Sequence, residues 1–217
     1  SPNAHSAIVS RSLGIPMLVA MGREVLGVED GAEAILDASG SQLLFEPTPS
    51  EVESVRLALE ALEARRGLAL DARFLPAMLR DGHRVEVVAN IGKPADAAQA
   101  VELGAEGVGL LRTEFLYLDR SAPPSEEEQY AALCEMLEAL HGLPMIVRTM
   151  DIGGDKPVDY LGLDERDLSF LGLRGFRLSA ARPELARTQL RAIFRASKHG
   201  PLKLMFPMIS TPDDFLQ

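Results

Sequence analysis

The chain has 217 residues, enough for one large domain or two smaller pieces, and its composition is that of an ordinary soluble globular protein: 47% hydrophobic, 25% charged, without Trp. Lys and Arg number 22 against 32 Asp and Glu, so the net charge of −10 excludes a basic stripe that could offset phosphate repulsion and argues against nucleic acid as a partner. No apolar run approaches the roughly 18–20 residues of a membrane span, no signal segment opens the chain, and a lone cysteine, Cys134, forms no internal disulfide and fits a reducing cytoplasm.

Taken in chain order, residues 1–47 read as short, compact pieces. Ser6 to Ser12 has helical spacing, Gly14-Ile15-Pro16 stops it, and Met17-Leu18-Val19-Ala20 is strand-like. Ile35–Ala38 and Gln42–Phe45 flank Ser39-Gly40-Ser41, a hairpin turn. Residues 48–82 are predicted as a helical hairpin linking two domains. Ser50 and Glu53 form its capping box, and Val52, Val55, Leu59 and Leu62 its apolar stripe. Gly67 is predicted to end the first helix, and Phe74, Leu75, Met78 and Leu79 to mark the second.

From residue 83 the rhythm is β then α: strands at 85–90, 107–111, 145–147 and 202–206, and helices at 95–103, 125–140 (Ser125 as cap, Glu128 facing it) and 183–197. Such alternation implies a parallel sheet. Four units suggest the first half of a (β/α)8 TIM-type barrel over 83–217, with a four- or five-stranded open sheet as the alternative.

Two of those strands end alike. Gly107-Val108-Gly109-Leu110-Leu111-Arg112-Thr113-Glu114 and Met145-Ile146-Val147-Arg148-Thr149-Met150-Asp151 each deliver Arg-Thr and then an acidic residue. Ligands of α/β folds sit beyond the carboxyl ends of parallel strands, and two guanidinium forks on successive strands suit a phosphate and a carboxylate together. A single such arginine can also simply pair with a carboxylate. The run Asp151-Ile152-Gly153-Gly154-Asp155-Lys156 adds a glycine pair and a further cation, without the Walker spacing. Arg174 and Arg177, three apart, face either the same crevice or solvent. His5 is a usable nitrogen nucleophile at pH 7 or a surface histidine. Cys134 reads as structural, and no His, Cys and carboxylate set has metal-ligand spacing.

Together these segments resemble enzyme I of the bacterial phosphotransferase system, the phosphoenolpyruvate–protein phosphotransferase family, over essentially the whole chain. Ala4-His5-Ser6-Ala7-Ile8-Val9-Ser10-Arg11 is similar to the phosphohistidine segment. Asn90-Ile91-Gly92, Gly104 to Tyr117, Glu126-Glu127-Glu128-Gln129, Val147 to Lys156 and Phe206-Pro207-Met208-Ile209-Ser210 follow in order. Two departures stand out: Ala4 replaces the usual Ser or Thr, and Leu168-Ser169-Phe170-Leu171-Gly172 stands where the family has Asn-Pro-Phe-Leu-Gly. Pro2-Asn3 ahead of the histidine is similar to the fructose-type multiphosphoryl transfer proteins.

The resemblance implies that 1–47 is the C-terminal part of a swivelling phosphohistidine domain, 48–82 a linker, and 83–217 the N-terminal half of a phosphoenolpyruvate-binding barrel. It implies that His5 takes phosphoryl from phosphoenolpyruvate and passes it to HPr or an HPr-like domain. Arg112 and Arg148 would bind the substrate, Mg2+ would take its ligands outside these residues, and the full-length protein would be a cytoplasmic homodimer without membrane insertion. Ser1 without an initiator Met, and an end just inside a helix, read as a piece of a longer protein, inactive alone. Two other readings are a relative of pyruvate-phosphate dikinase or phosphoenolpyruvate synthase, and a non-catalytic phosphoenolpyruvate-sensing module.

Overall fold

The structure, a computed structural model, describes residues 10, 15–152, 158–162 and 172–216. His5, Arg11, Lys156, the 153–157 glycine run and 163–171 lie outside them, as does the expected 6–12 helix apart from Ser10. The chain divides into two compact units, Ser1–Asp71 and Ala72–Gln217.

In the first unit the expected hairpin is present: β1 (Ala34–Asp37) pairs antiparallel with β2 (Gln42–Phe45). The Asp37 carboxylate closes the turn, accepting the Ser39 and Gly40 N–H groups at 2.9 Å each. Met17–Ala20 is not a strand; it has no ladder partner among the described residues.

Helix α1 (Pro49–Asp71) differs from the expectation at both ends. Its cap is Thr48 rather than Ser50: the Thr48 N–H donates to Glu51 Oε2 at 2.7 Å, and Glu51 N–H donates to Thr48 Oγ1 at 3.4 Å. Pro49 then takes the first helical position, where a missing N–H costs nothing, and Glu53 pairs with Arg56 at 2.6 Å instead of capping. Gly67 does not end the helix, because Leu68-Ala69-Leu70 behind it are strong helix formers.

The expected second helix is absent from the second unit, where β3 (Ala77–Met78) and β4 (Arg84–Val85) form an antiparallel ribbon. Pro76 removes a helical donor and clashes with the preceding turn. The turn at Asp81-Gly82 folds the chain back: Gly82 has φ +85° and Leu79 N–H donates to the His83 carbonyl at 2.8 Å.

After the ribbon come β5 (Ala89–Ile91), α2 (Ala95–Glu102), β6 (Val108–Arg112), α3 (Glu126–Ala139), β7 (Met145–Arg148), α4 (Phe176–Ala181), α5 (Pro183–Ala196), β8 (Leu202–Met205) and α6 (Pro212–Leu216). The run expected as one strand at 85–90 is thus shared between ribbon and sheet. β5 to β8 form a parallel sheet in consecutive order. One core holds it to its helices. Val108, Leu111, Met145 and Val147 from the strands meet Ala97 and Ala100 of α2, Leu133, Met136 and Leu137 of α3, and Ile193 and Ala196 of α5. Each large apolar side chain so buried contributes about 1.5–3 kcal/mol, against about 1 kcal/mol for a typical cap.

Alternation along β7 buries Met145 and Val147 in this core and turns Ile146 and Arg148 to the opposite face. α3 begins as expected. Ser125 and Glu128 form a reciprocal capping box, with Glu128 N–H donating to Ser125 Oγ at 3.2 Å and Ser125 N–H to Glu128 Oε2 at 2.8 Å. The Ser125 backbone N–H, then the Arg120 guanidinium and the Ser125 hydroxyl, hold the Glu128 carboxyl down to about 2, from an ordinary value of 4.5. Because the folded-state value is depressed, the stabilisation is complete above pH 4.5 and is lost as pH falls through about 2. Acid titration between those limits should therefore weaken the unaltered protein more steeply than Glu128→Gln. Equal slopes in thermal melts would refute this.

Candidate functional site

The two Arg-Thr strand ends are neighbours. Arg112 and Arg148 are register partners on β6 and β7 and project from the same face at the carboxyl end of the sheet. Arg112 is exposed and reaches toward β5, where its Nη2 lies 3.4 Å from the position a Cβ on Gly92 would take. A Cβ at Gly92 would sit in van der Waals contact with that guanidinium. Among the described residues Arg112 has no carboxylate partner.

Arg148 is held differently. Its Nη2 donates to Glu114 Oε1 at 2.8 Å and its Nη1 lies 3.5 Å from Asp151 Oδ2. Arg174 Nε donates to the other Asp151 oxygen at 2.9 Å. The Glu114 and Asp151 side chains are only 6% and 8% exposed, so this is an interior network of two guanidinium and two carboxylate groups. Among the described residues, the pairing of an arginine with a carboxylate therefore holds for Arg148 and not for Arg112. Arg148 Nε is buried without a hydrogen-bond partner among the described residues.

Glu114 is placed by the short 3-10 turn Thr113–Leu116 that follows β6. Tyr117 anchors that turn: its hydroxyl, pushed up by burial and so kept protonated, donates to Gln129 Oε1 at 3.2 Å. A second apolar cluster, with Leu116, Tyr117, Met150, Ile152 and Leu178, packs around these connections.

The threonines are not ligand groups by position alone. Thr113 Oγ1 donates to the Arg148 carbonyl at 2.9 Å and accepts from Gln189 Nε2 at 3.1 Å. Gln189 Oε1 accepts the Met150 N–H at 2.8 Å. The Thr149 hydroxyl is buried and unpartnered among the described residues. A cavity of about 440 Å3 is lined by Thr149, Gln189, Phe176 and Phe206 among others, but by neither Arg112 nor Arg148.

Sequence reasoning noted acidic residues after each Arg-Thr without giving Glu114 and Asp151 a role, and it missed Gln189. The signal for Gln189 was a polar residue in the stripe Gln189, Ala192, Ile193, Ala196 of an amphipathic helix. Arg174 joins the network. Arg177 lies within electrostatic reach of Asp214, whose carboxyl is held low mainly by the Ser210 and Thr211 N–H groups and further by that arginine. Among the described residues no three His, Cys, Asp or Glu side chains come together so as to hold a metal ion. Glu114 and Asp151, the nearest carboxylates to the arginines, are already engaged by them. The described residues thus do not fit a Mg2+ site. No helix among them is long and apolar enough to cross a membrane.

Residues 68–217 match the family model for the PEP-binding domain of PEP-utilising enzymes, and residues 1–40 that for their mobile domain. The chain belongs to the PEP-utilising enzyme family. Among its relatives, the multiphosphoryl transfer protein of Rhodobacter capsulatus is 47% identical over 209 residues, covering 96% of this chain and 25% of that protein. The phosphoenolpyruvate-protein phosphotransferase of Geobacillus stearothermophilus is 44% identical over 217 residues, covering 99% and 37%. That of Haloferax volcanii is 43% identical over 215 residues, covering 97% and 36%. The chain spans a quarter to a little over a third of the length of these relatives.

Proposed function

We propose that the protein carrying this chain is a phosphoenolpyruvate–protein phosphotransferase, in which an imidazole nitrogen of His5 attacks the phosphorus of phosphoenolpyruvate. A nitrogen–phosphorus bond forms, the bridging phosphorus–oxygen bond breaks, and the enolate of pyruvate leaves to be protonated. The phosphoryl group then passes to a histidine of HPr or an HPr-like domain. The observation that carries this reading is the register pairing of Arg112 and Arg148 at the carboxyl ends of neighbouring parallel strands. Their forks match a phosphate and a carboxylate on one small molecule. They would act by positioning and by neutralising charge on the transferring group, which is most of what phosphoryl transfer asks of a protein.

The same reading takes 83–217 as the first half of a (β/α)8 barrel. The consecutive strand order β5-β6-β7-β8, without the reversal of a doubly wound sheet, supports it. Residues 1–47 would be part of a mobile phosphohistidine domain and 48–82 its linker, in a cytoplasmic, homodimeric, Mg2+-dependent protein that serves sugar transport.

The full-length protein incubated with phosphoenolpyruvate and Mg2+ should acquire an acid-labile, base-stable phosphate, and His5→Ala should abolish it. Label persisting in that variant would sink the His5 assignment.

A further inference from the structure

Beyond the last rungs of the sheet, a side-chain relay takes over. The register of β6 with β7 ends at Arg112↔Arg148, and on the β8 side the last bond runs from Thr149 N–H to the Met205 carbonyl at 2.9 Å. Where the β6–β7 pairing stops, Thr113 supplies the next rung through its hydroxyl to the Arg148 carbonyl. Gln189 of α5 then ties that hydroxyl to the Met150 backbone.

The directions of these bonds are fixed by chemistry. Met150 N–H can only donate, so the Gln189 oxygen faces it and the amide NH2 faces Thr113. Having accepted there, Thr113 gives its one proton to the Arg148 carbonyl. Thr113 and Gln189 are 1% and 2% exposed, so a bond lost between them leaves a buried polar group to be satisfied. One helix side chain thus grips the residue after Arg112 and the backbone on both sides of Thr149.

We propose that Gln189 is a positioning residue of the two-arginine site. It touches no ligand, and through Thr113 and Met150 it sets the spacing and direction from which Arg112 and Arg148 project. The proposal rests on the reading of that site as the phosphoenolpyruvate site. Displacement of about 1 Å at reacting groups costs on the order of 100-fold in rate, and a relay that holds two strand ends together controls displacement on that scale.

The test uses the full-length protein, with kcat and KM for phosphoenolpyruvate-dependent phosphorylation and the folded fraction from thermal melts. Gln189→Leu, which keeps the bulk and removes both bonds, should lower kcat by about 10- to 100-fold while the protein stays folded at the assay temperature. Thr113→Val should do the same, Thr113→Ser should keep the unaltered rate, and the double variant Gln189→Leu/Thr113→Val should be no slower than either single one. Arg191→Ala, on an exposed part of the same helix, should change nothing. If Gln189→Leu fails to fold, the Thr113→Val and Thr113→Ser pair carries the comparison. A folded Gln189→Leu with unaltered kcat, or Thr113→Ser as slow as Thr113→Val, overturns the proposal. Arg112→Ala, at an exposed residue, separates the two levels: if it keeps the rate, the reading of the site fails; if it loses the rate and Gln189→Leu does not, only the positioning role fails.

Discussion

Arg112→Ala is expected to slow phosphoenolpyruvate-dependent phosphorylation by about 100- to 1000-fold while changing folding stability by no more than about 0.5 kcal/mol. The guanidinium is exposed and, among the described residues, leaves no carboxylate behind when removed. Arg148→Ala should lose the same activity for a related reason and stability for a different one. Its removal strands Glu114, whose side chain is 6% exposed, while Asp151 keeps Arg174. Breaking a buried pair from one side costs about 3–5 kcal/mol, because the remaining charge has neither partner nor water. Glu114→Gln added to Arg148→Ala should recover part of that stability and none of the activity. Denaturant midpoints beside labelling rates decide the matter. Equal destabilisation by the two alanine variants, or full labelling in Arg112→Ala, would show that the asymmetry has been misassigned.

Gly104→Ala should strongly destabilise the second unit. Gly104 ends the α2 segment with φ +87°, in the left-handed region that costs an L-residue about 1–3 kcal/mol. There is also no room: an added Cβ would run into the Arg73 carbonyl, with the carbonyl carbon at 2.7 Å and Arg73 Cβ at 3.2 Å. Arg73 cannot swing aside freely, because its Nε donates to the Glu102 carbonyl at 2.9 Å. Overpacking against backbone adds about 1–3 kcal/mol. The sum, about 4 kcal/mol, is a large part of an ordinary domain's stability. Gly142→Ala makes the useful contrast. It has a similar φ of +90° and nothing within 4 Å, so it should cost only the backbone term. Similar melting shifts for the two variants would remove the clash from the explanation.

What could be read from the amino-acid order follows the reach of each interaction. The Ser125–Glu128 box spans three residues, and it forms as expected. The four parallel strands announced themselves as apolar runs separated by helical periods, and Arg112 and Arg148 as their last residues. The 74–79 segment misled because Phe74, Leu75, Met78 and Leu79 do fall at helical spacing; Pro76 and the Asp81-Gly82 turn outweigh that pattern. At 48–51 the expected cap, Ser50, lies inside the helix, because Pro49 takes the first helical position and Thr48 caps it instead. The site's inner wiring was out of reach for another reason. Gln189 meets Thr113 across 76 positions, and Arg148 meets Glu114 across 34. Only a finished sheet brings such residues together.

The interior network also sets how ionic strength acts on the site. Among the described residues, Arg112, Arg148 and Arg174 stand with the carboxylates Glu114 and Asp151 at this end of the sheet, within a chain whose net charge is −10. At low salt the chain's net negative charge repels an approaching dianion over long distances, a repulsion screened beyond about one Debye length, about 8 Å at physiological salt, while the guanidinium groups attract it at contact. Added salt therefore works in opposite senses on the two stages, easing the approach and loosening the final contact. The place where those stages meet is the solvent-facing guanidinium of Arg112.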